Sequence, residues 1–123
     1  MSGLRKVLAT NRQARHEYHL LERTEAGIVL EGCEVKSIRE GRVNLKEAFV
    51  EFVGGQAFLV GCHINPYVNA GYAEPDPLRR RRLLLHKREI LRLAGKVQEK
   101  GLTVVPLSMV LDGNWIKVEI ALV

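Results

Sequence analysis

This sequence is short of the residues that enzymes, membrane proteins and secreted proteins depend on. Only two cysteines, Cys33 and Cys62, occur in 123 residues. They lack a CxxC spacing and no two or three histidines sit near them at ligand spacing, so no metal site is expected and a reduced, mostly buried pair is. The longest apolar runs, such as those holding Phe58–Val60 and Leu83–Leu85, fall far below the ~20 residues of a membrane helix. Met1–Lys6 opens without an apolar stretch of signal-peptide length, and the reading is cytoplasmic. HExxH, GxSxG, a phosphate-binding loop and a dinucleotide fingerprint are all missing, which leaves His16, Glu17 and His63 as the only catalytic possibility on paper. No cofactor and no catalysis are expected. Internal repeats and low-complexity linkers are also absent, and the length suits one domain over residues 1–123.

What is present is a basic, globular chain. Apolar residues make up 46%, enough for one core without staples. The net charge of +5 is unevenly spread: six basic residues and no acid lie between Arg79 and Arg88. Arg5, Lys6, Arg12 and Arg15 sit in an acid-free opening. Two such runs create a local positive field suited to a polyanion.

Period-two patterning predicts about six strands. They run from Glu17 to Arg23, with Tyr18 and Leu20 on one face, then Ile28–Leu30, Phe49–Val53, Gln56–Val60, Leu102–Leu111 and Trp115–Val123. Residues 1–10 are expected to fray, Asn11 to cap a short turn, and Thr24–Gly27 to bend. Gly54-Gly55 predicts a tight hairpin and Asp112-Gly113-Asn114 a second one. Gly32–Glu40 reads as a short helix ended by Gly41. Ile90, Leu93, Ala94 and Val97 mark one clear helix over about 86–100, stopped by Gly101. Asn65–Pro77 is a long irregular segment. The sum is a mainly β fold: a small antiparallel barrel resembling the oligonucleotide-binding (OB) fold, with one clear helix and one or two short ones.

Arginine grips phosphate bidentately and stacks on bases. In an extended segment Arg79 and Arg81 point opposite to Arg80 and Arg82, so one pair faces RNA. Charge and position favour Arg79 and Arg81, together with Lys36. His16 and His86 sit among arginines as phosphate or base partners. Leu84 is either a core residue or an exposed platform for an unstacked base. Glu25 is either turn chemistry before Gly27 or an acceptor for base N–H groups.

Several blocks then resemble the small protein B (SsrA-binding, tmRNA-binding) family. They are Asn11–Tyr18, Glu25–Leu30 with Gly32, Glu34–Arg39, Gly41–Leu45, His63-Ile64 with Pro66-Tyr67, Asp76–Arg79 with Arg81, Leu83–His86, Arg88–Ile90, Lys100–Thr103 and Val105–Leu107. The resemblance implies an OB-type barrel that binds the tRNA-like domain of tmRNA and delivers it to stalled ribosomes. By resemblance Glu25 and Leu84 match positions associated with tmRNA binding, and Asn11, Arg12, Arg15 and His16 belong to the same contact region. A second basic face would meet ribosomal RNA. Family members generally continue into a long basic tail, whereas this sequence stops at Val123; tmRNA binding with poor support of tagging is the expectation. A monomer is expected. The competing readings are a general single-strand or ribosomal RNA binder and a module for anionic membranes, which lacks the basic amphipathic helix it would need.

Overall fold

The computed structural model describes residues 5–17, 20–66 and 75–123, without the side chains of Arg15, Glu17 and Lys100. In chain order the elements are β1 (Arg5–Thr10), α1 (Arg12–Glu17), β2 (Glu22–Ile28), α2 (Gly32–Arg39), β3 (Val43–Asn44), β4 (Phe49–Val53), β5 (Gln56–Val60), β6 (His63–Ile64), β7 (Arg81–Leu84), α3 (Lys87–Lys100), β8 (Val104–Asp112) and β9 (Trp115–Leu122). Seven strands form one antiparallel sheet in the order β1-β8-β9-β2-β7-β5-β4, and β3 pairs with β6. The sheet curls until β4 comes back against β8 without a ladder between them, so the barrel resembles the OB type and is not closed by hydrogen bonds.

The two predicted hairpins are present. Gly54 and Gly55 adopt φ values of 59° and 75°, the left-handed region that their two-residue turn requires. Strands β5, β7, β8 and β9 line the interior: Leu59, Leu83, Met109, Val118 and Ile120 are buried. Across the open end lies α3, with Ile90 and Leu93 buried and Val97 packed at the edge of the same core. Its first turn is capped by Glu89, whose Oε1 accepts the His86 backbone N–H at 3.0 Å. Gly101 ends it with φ 64°.

Several expectations need correction. Residues 5–10 do not fray: β1 ladders along β8 from Arg5↔Asp112 to Thr10↔Ser108, covering an edge that would otherwise stay unpaired. The predicted bend at Thr24–Gly27 lies inside β2, which starts at Glu22 rather than Glu17, while Glu17 closes α1. Gly27 is tolerated in that strand because the side chain of Leu84 lies over it, 3.3 Å from where a Cβ would stand. Among the described residues nine strands replace the expected six: the runs Glu17–Arg23 and Ile28–Leu30 give the single β2, and β1, β7 and the two-residue β3 and β6 carry no alternating apolar signature. Tyr18 and residues 67–74 of the predicted loop lie outside the described residues. Cys62 is buried, Cys33 half-buried, and both are free thiols.

Asn11 joins α1 to the sheet. Its Oδ1 accepts the Ala14 N–H at 3.1 Å, and its Nδ2 donates to the carbonyls of Leu45 at 3.2 Å and Pro106 at 3.0 Å. Pro106 sits at a bulge in β8, where a missing N–H does no harm. Ala14 in turn packs α1 onto the sheet against Val105, Leu107 and Ala121. Asn11→Ala removes the cap and the amide's bonds to the Leu45 and Pro106 carbonyls, of which Leu45 keeps the Ala48 N–H, so urea titration is expected to show a loss of roughly 2 kcal/mol.

Candidate nucleic-acid interface

The basic segment enters the fold as β7, and one buried ion pair sets its orientation. Arg81 is fully buried. Its Nε and Nη2 donate to Glu34 Oε2 at 2.9 Å and 2.7 Å, and its Nη1 donates to the Cys62 carbonyl at 2.6 Å. Nη2 also donates to the Pro77 carbonyl at 3.1 Å. Glu34 sits on the first turn of α2, where Oε1 accepts the Glu31 backbone N–H at 3.0 Å and a further bond from Arg79. Burial pulls the Glu34 carboxyl upward, but the bonds from Arg79, the Glu31 N–H and Arg81 outweigh it and the net shift is down. Burial also pushes the neighbouring Cys62 thiol up to about 11, so it is protonated and inert at neutral pH.

Because side chains alternate along a strand, an inward Arg81 carries Leu83 inward and turns Arg82 and Leu84 out. This reverses the expectation that Arg79 and Arg81 form the outward pair. Arg81 has no surface to offer RNA, and Arg79 is held by Glu34 and by Glu31 at 3.7 Å. The outward arginines are Arg80 and Arg82. Arg80 lies 4.3 Å over the Phe58 ring and pairs with Glu51 at 3.1 Å. Arg82 is exposed opposite Phe58 in the β5–β7 register.

Leu84 is 51% exposed and stands opposite Gly27 of β2. Two residues earlier on β2, and therefore on the same outer face, is Glu25. A groove of about 300 Å³ is lined by Glu25, Arg82, Leu84, His86 and Glu89. The Glu25 carboxylate pairs with Arg5 and lies 3.6 Å from Lys117 Nζ. Asp112 ties the two cations together, at 3.5 Å from Arg5 and 3.3 Å from Lys117. The hydrogen bond from Arg5 is the main reason the Glu25 pKa is lowered, against the opposing effect of burial. Glu25 is thus an ionised acceptor at the rim of a largely apolar groove whose wall also carries Arg82, His86 and a second acid, Glu89. Such an acceptor takes base N–H donors and refuses phosphate.

The other expected residues divide. His86 lines this groove, and Arg12 and His16 are exposed on α1, which lies on the same outer face next to the Glu25↔Glu119 row. Arg12 opens onto a separate cleft of about 430 Å³ with Gln13, Asn44 and Lys46. Lys36 is exposed on α2 and does not line the Glu25 groove. The side chain of Arg15 lies outside the described residues. Asn11 is a correction, because it is 5% exposed with its amide engaged in the fold. Three outer-face residues were not anticipated as site residues: Arg82, Lys117 and Trp115, the last 73% exposed at the end of β9. The lone tryptophan on the wet side of an alternating strand was the available signal for it. Among the described residues no cluster of His, Cys, Asp or Glu is placed to hold a metal ion.

The Arg81–Glu34 pair makes stability pH-dependent with a definite sign. Glu34 has a lower pKa folded than unfolded, so its contribution is complete above the ordinary carboxylate range and is lost as pH falls through the folded value. Urea midpoints are therefore expected to drop on acidification below that range. Glu34→Gln, which leaves Arg81 buried without its counter-charge, should cost roughly 3–5 kcal/mol at pH 7 and flatten that acid dependence.

Comparison with known proteins places the chain. The family model described as SmpB protein matches residues 8–123. The SsrA-binding protein of Persephonella marina is 56% identical over 117 residues, covering 95% of this chain and 77% of the relative. That of Carboxydothermus hydrogenoformans is 51% identical over 119 residues, covering 97% and 80%. A solved structure concerned with tmRNA-SmpB and the center of the bacterial ribosome contains a chain that is 48% identical, with a TM-score of 0.77, covering 93% of this chain and 80% of that one. With the family model spanning almost the whole sequence and relatives this similar, the chain belongs to the SmpB family.

Proposed function

We propose that this protein binds the tRNA-like domain of tmRNA through the outer face carrying Glu25 and Leu84, and brings it to stalled ribosomes in trans-translation. The observation that carries the reading is the pairing of a half-exposed leucine with an ionised carboxylate inside a field of arginine and lysine. A purely electrostatic RNA surface has no use for either. Leu84 offers a flat apolar contact to a ribose or unstacked base, and Glu25 selects donors and repels misplaced phosphate. Arg82 and His86 supply the surrounding positive or hydrogen-bonding groups, with Arg12 and His16 along α1. The similarity to SsrA-binding proteins and to a chain from a tmRNA-SmpB ribosome structure supports the same partners. The protein acts by binding and positioning and transfers no group itself. Its place of work is where ribosomes are, in the cytoplasm.

The test is a titration of the tRNA-like fragment of tmRNA against an ordinary tRNA of equal length, at low and at physiological salt. At both salts tmRNA is expected to win by about tenfold or more, roughly 1.4 kcal/mol. Glu25→Ala and Leu84→Ala should each remove much of that gap. Gly27→Ala, whose new methyl would stand 3.3 Å from Leu84 Cβ and must displace it, should weaken binding without unfolding the protein. Equal binding of both RNAs, vanishing together with salt, would leave only a general phosphate-binding field.

A further inference from the structure

Trp115 is the only tryptophan of the sequence and the most exposed large apolar side chain among the described residues. A ring left this bare adds almost nothing to folding, because the hydrophobic gain follows the area removed from water. Its place on the sheet suggests what it serves. The β2–β9 ladder ends at Gly27↔Lys117, and Leu84 of β7 stands opposite Gly27. The row Lys117–Gly27–Leu84 therefore crosses three strands on the outer face, next to Glu25.

One step further along the sheet, two residues away on each of those strands, are Trp115, Val29 and Arg82. Alternation keeps all three on the outer face. The Val29 N–H donates to the Arg82 carbonyl at 2.9 Å, so the pairing of β2 with β7 reaches this second row. Val29 is 46% exposed and Arg82 is exposed. Beyond Arg82 the row continues to Phe58, whose ring is already covered by the Arg80 guanidinium at 4.3 Å. The ring of Trp115 lies open. The acids near the two ends of the row are answered within the protein, Asp112 by Arg5 and Lys117, and Glu51 by Arg80. Charge is thus close to balance here, and the flat faces choose the partner. Nucleic-acid bases stack on aromatic rings and on guanidinium planes, whatever their identity.

We propose that Trp115, flanked by Val29 and Arg82, is a stacking subsite for a second unstacked base of the tRNA-like domain of tmRNA. The first row holds one nucleotide at Leu84 and the second row holds its neighbour. The rows are roughly 7 Å apart, so adjacent nucleotides of a splayed strand reach both. Continuity with the Glu25–Leu84 groove is what selects RNA as the occupant, and the inference rests on the reading of that groove.

With a single tryptophan in the chain, tryptophan fluorescence reports on this position alone. Titrating the native chain with the tRNA-like fragment is expected to quench it in step with binding. Trp115→Ala, at so exposed a position, should keep the native thermal midpoint and weaken binding about tenfold. The slope of log affinity against log salt should not change, because no phosphate contact is lost. Trp115→Phe should retain much of the affinity and Trp115→Leu little, since only a ring offers a stacking face. Unquenched fluorescence and native affinity in Trp115→Ala, with Glu25→Ala still weakened, would overturn the subsite and leave the groove standing. Equal affinity in Trp115→Leu and Trp115→Phe would show plain apolar packing and also overturn it. Quenching by the small ribosomal subunit and not by the fragment would give the ring to the ribosome, against the proposal. If Glu25→Ala and Leu84→Ala bind as well as the native chain, the reading of the groove itself falls.

Discussion

The guanidinium of Arg81 uses all three of its nitrogens inside the protein, on Glu34, on the Cys62 carbonyl and on the Pro77 carbonyl, and the rest of the surface depends on that anchorage. A charge this deeply buried is tolerable only because a full counter-charge and several carbonyls surround it. The pair joins the first turn of α2 to the start of β7, through residues separated by 47 positions in sequence. Once Arg81 is fixed inward, the pleat decides its neighbours: Leu83 joins the core, while Arg82 and Leu84 face solvent. The buried arginine therefore orients the proposed binding surface without being part of it.

On the outer face the charges are arranged to restrain one another. Glu25 could be expected to spoil a phosphate-binding surface. Arg5 and Lys117 neutralise it, and Asp112 balances those two cations in turn, so a local network forms instead of an isolated acid. Arg5, Glu25 and Lys117 are a third to a half exposed and Asp112 about a fifth, so the network contributes little stability. Its effect is to keep Glu25 ionised and directed. Gly27 contributes by omission, letting Leu84 lie flat across β2 beside that carboxylate.

Much of the fold was legible. The two glycine-containing hairpins, α2 and α3 followed from turn chemistry and from periods of two and 3.6. What failed did so for identifiable reasons. β1 and β7 are rich in basic residues, and their strand character comes from the neighbours they pair with, which no local pattern contains. In the site, expecting both Leu84 and Arg81 to face outward was inconsistent: three positions apart on one strand, they must point to opposite faces. The apolar run Leu83–Leu85 held the clue, since an inward Leu83 requires an inward Arg81. That Asn11 is structural could not be read locally either, because its amide reaches carbonyls 34 and 95 positions away.

The central claim is that RNA lies on the face that Arg81 turns outward. Amide chemical-shift mapping of the full chain with the tRNA-like fragment of tmRNA tests it most directly. The largest changes are predicted at Glu25, Gly27, Arg82, Leu84, His86 and Lys117, with the Gly54-Gly55 turn left undisturbed. Changes centred on the β4–β5 hairpin, with β2 and β7 silent, would contradict the account.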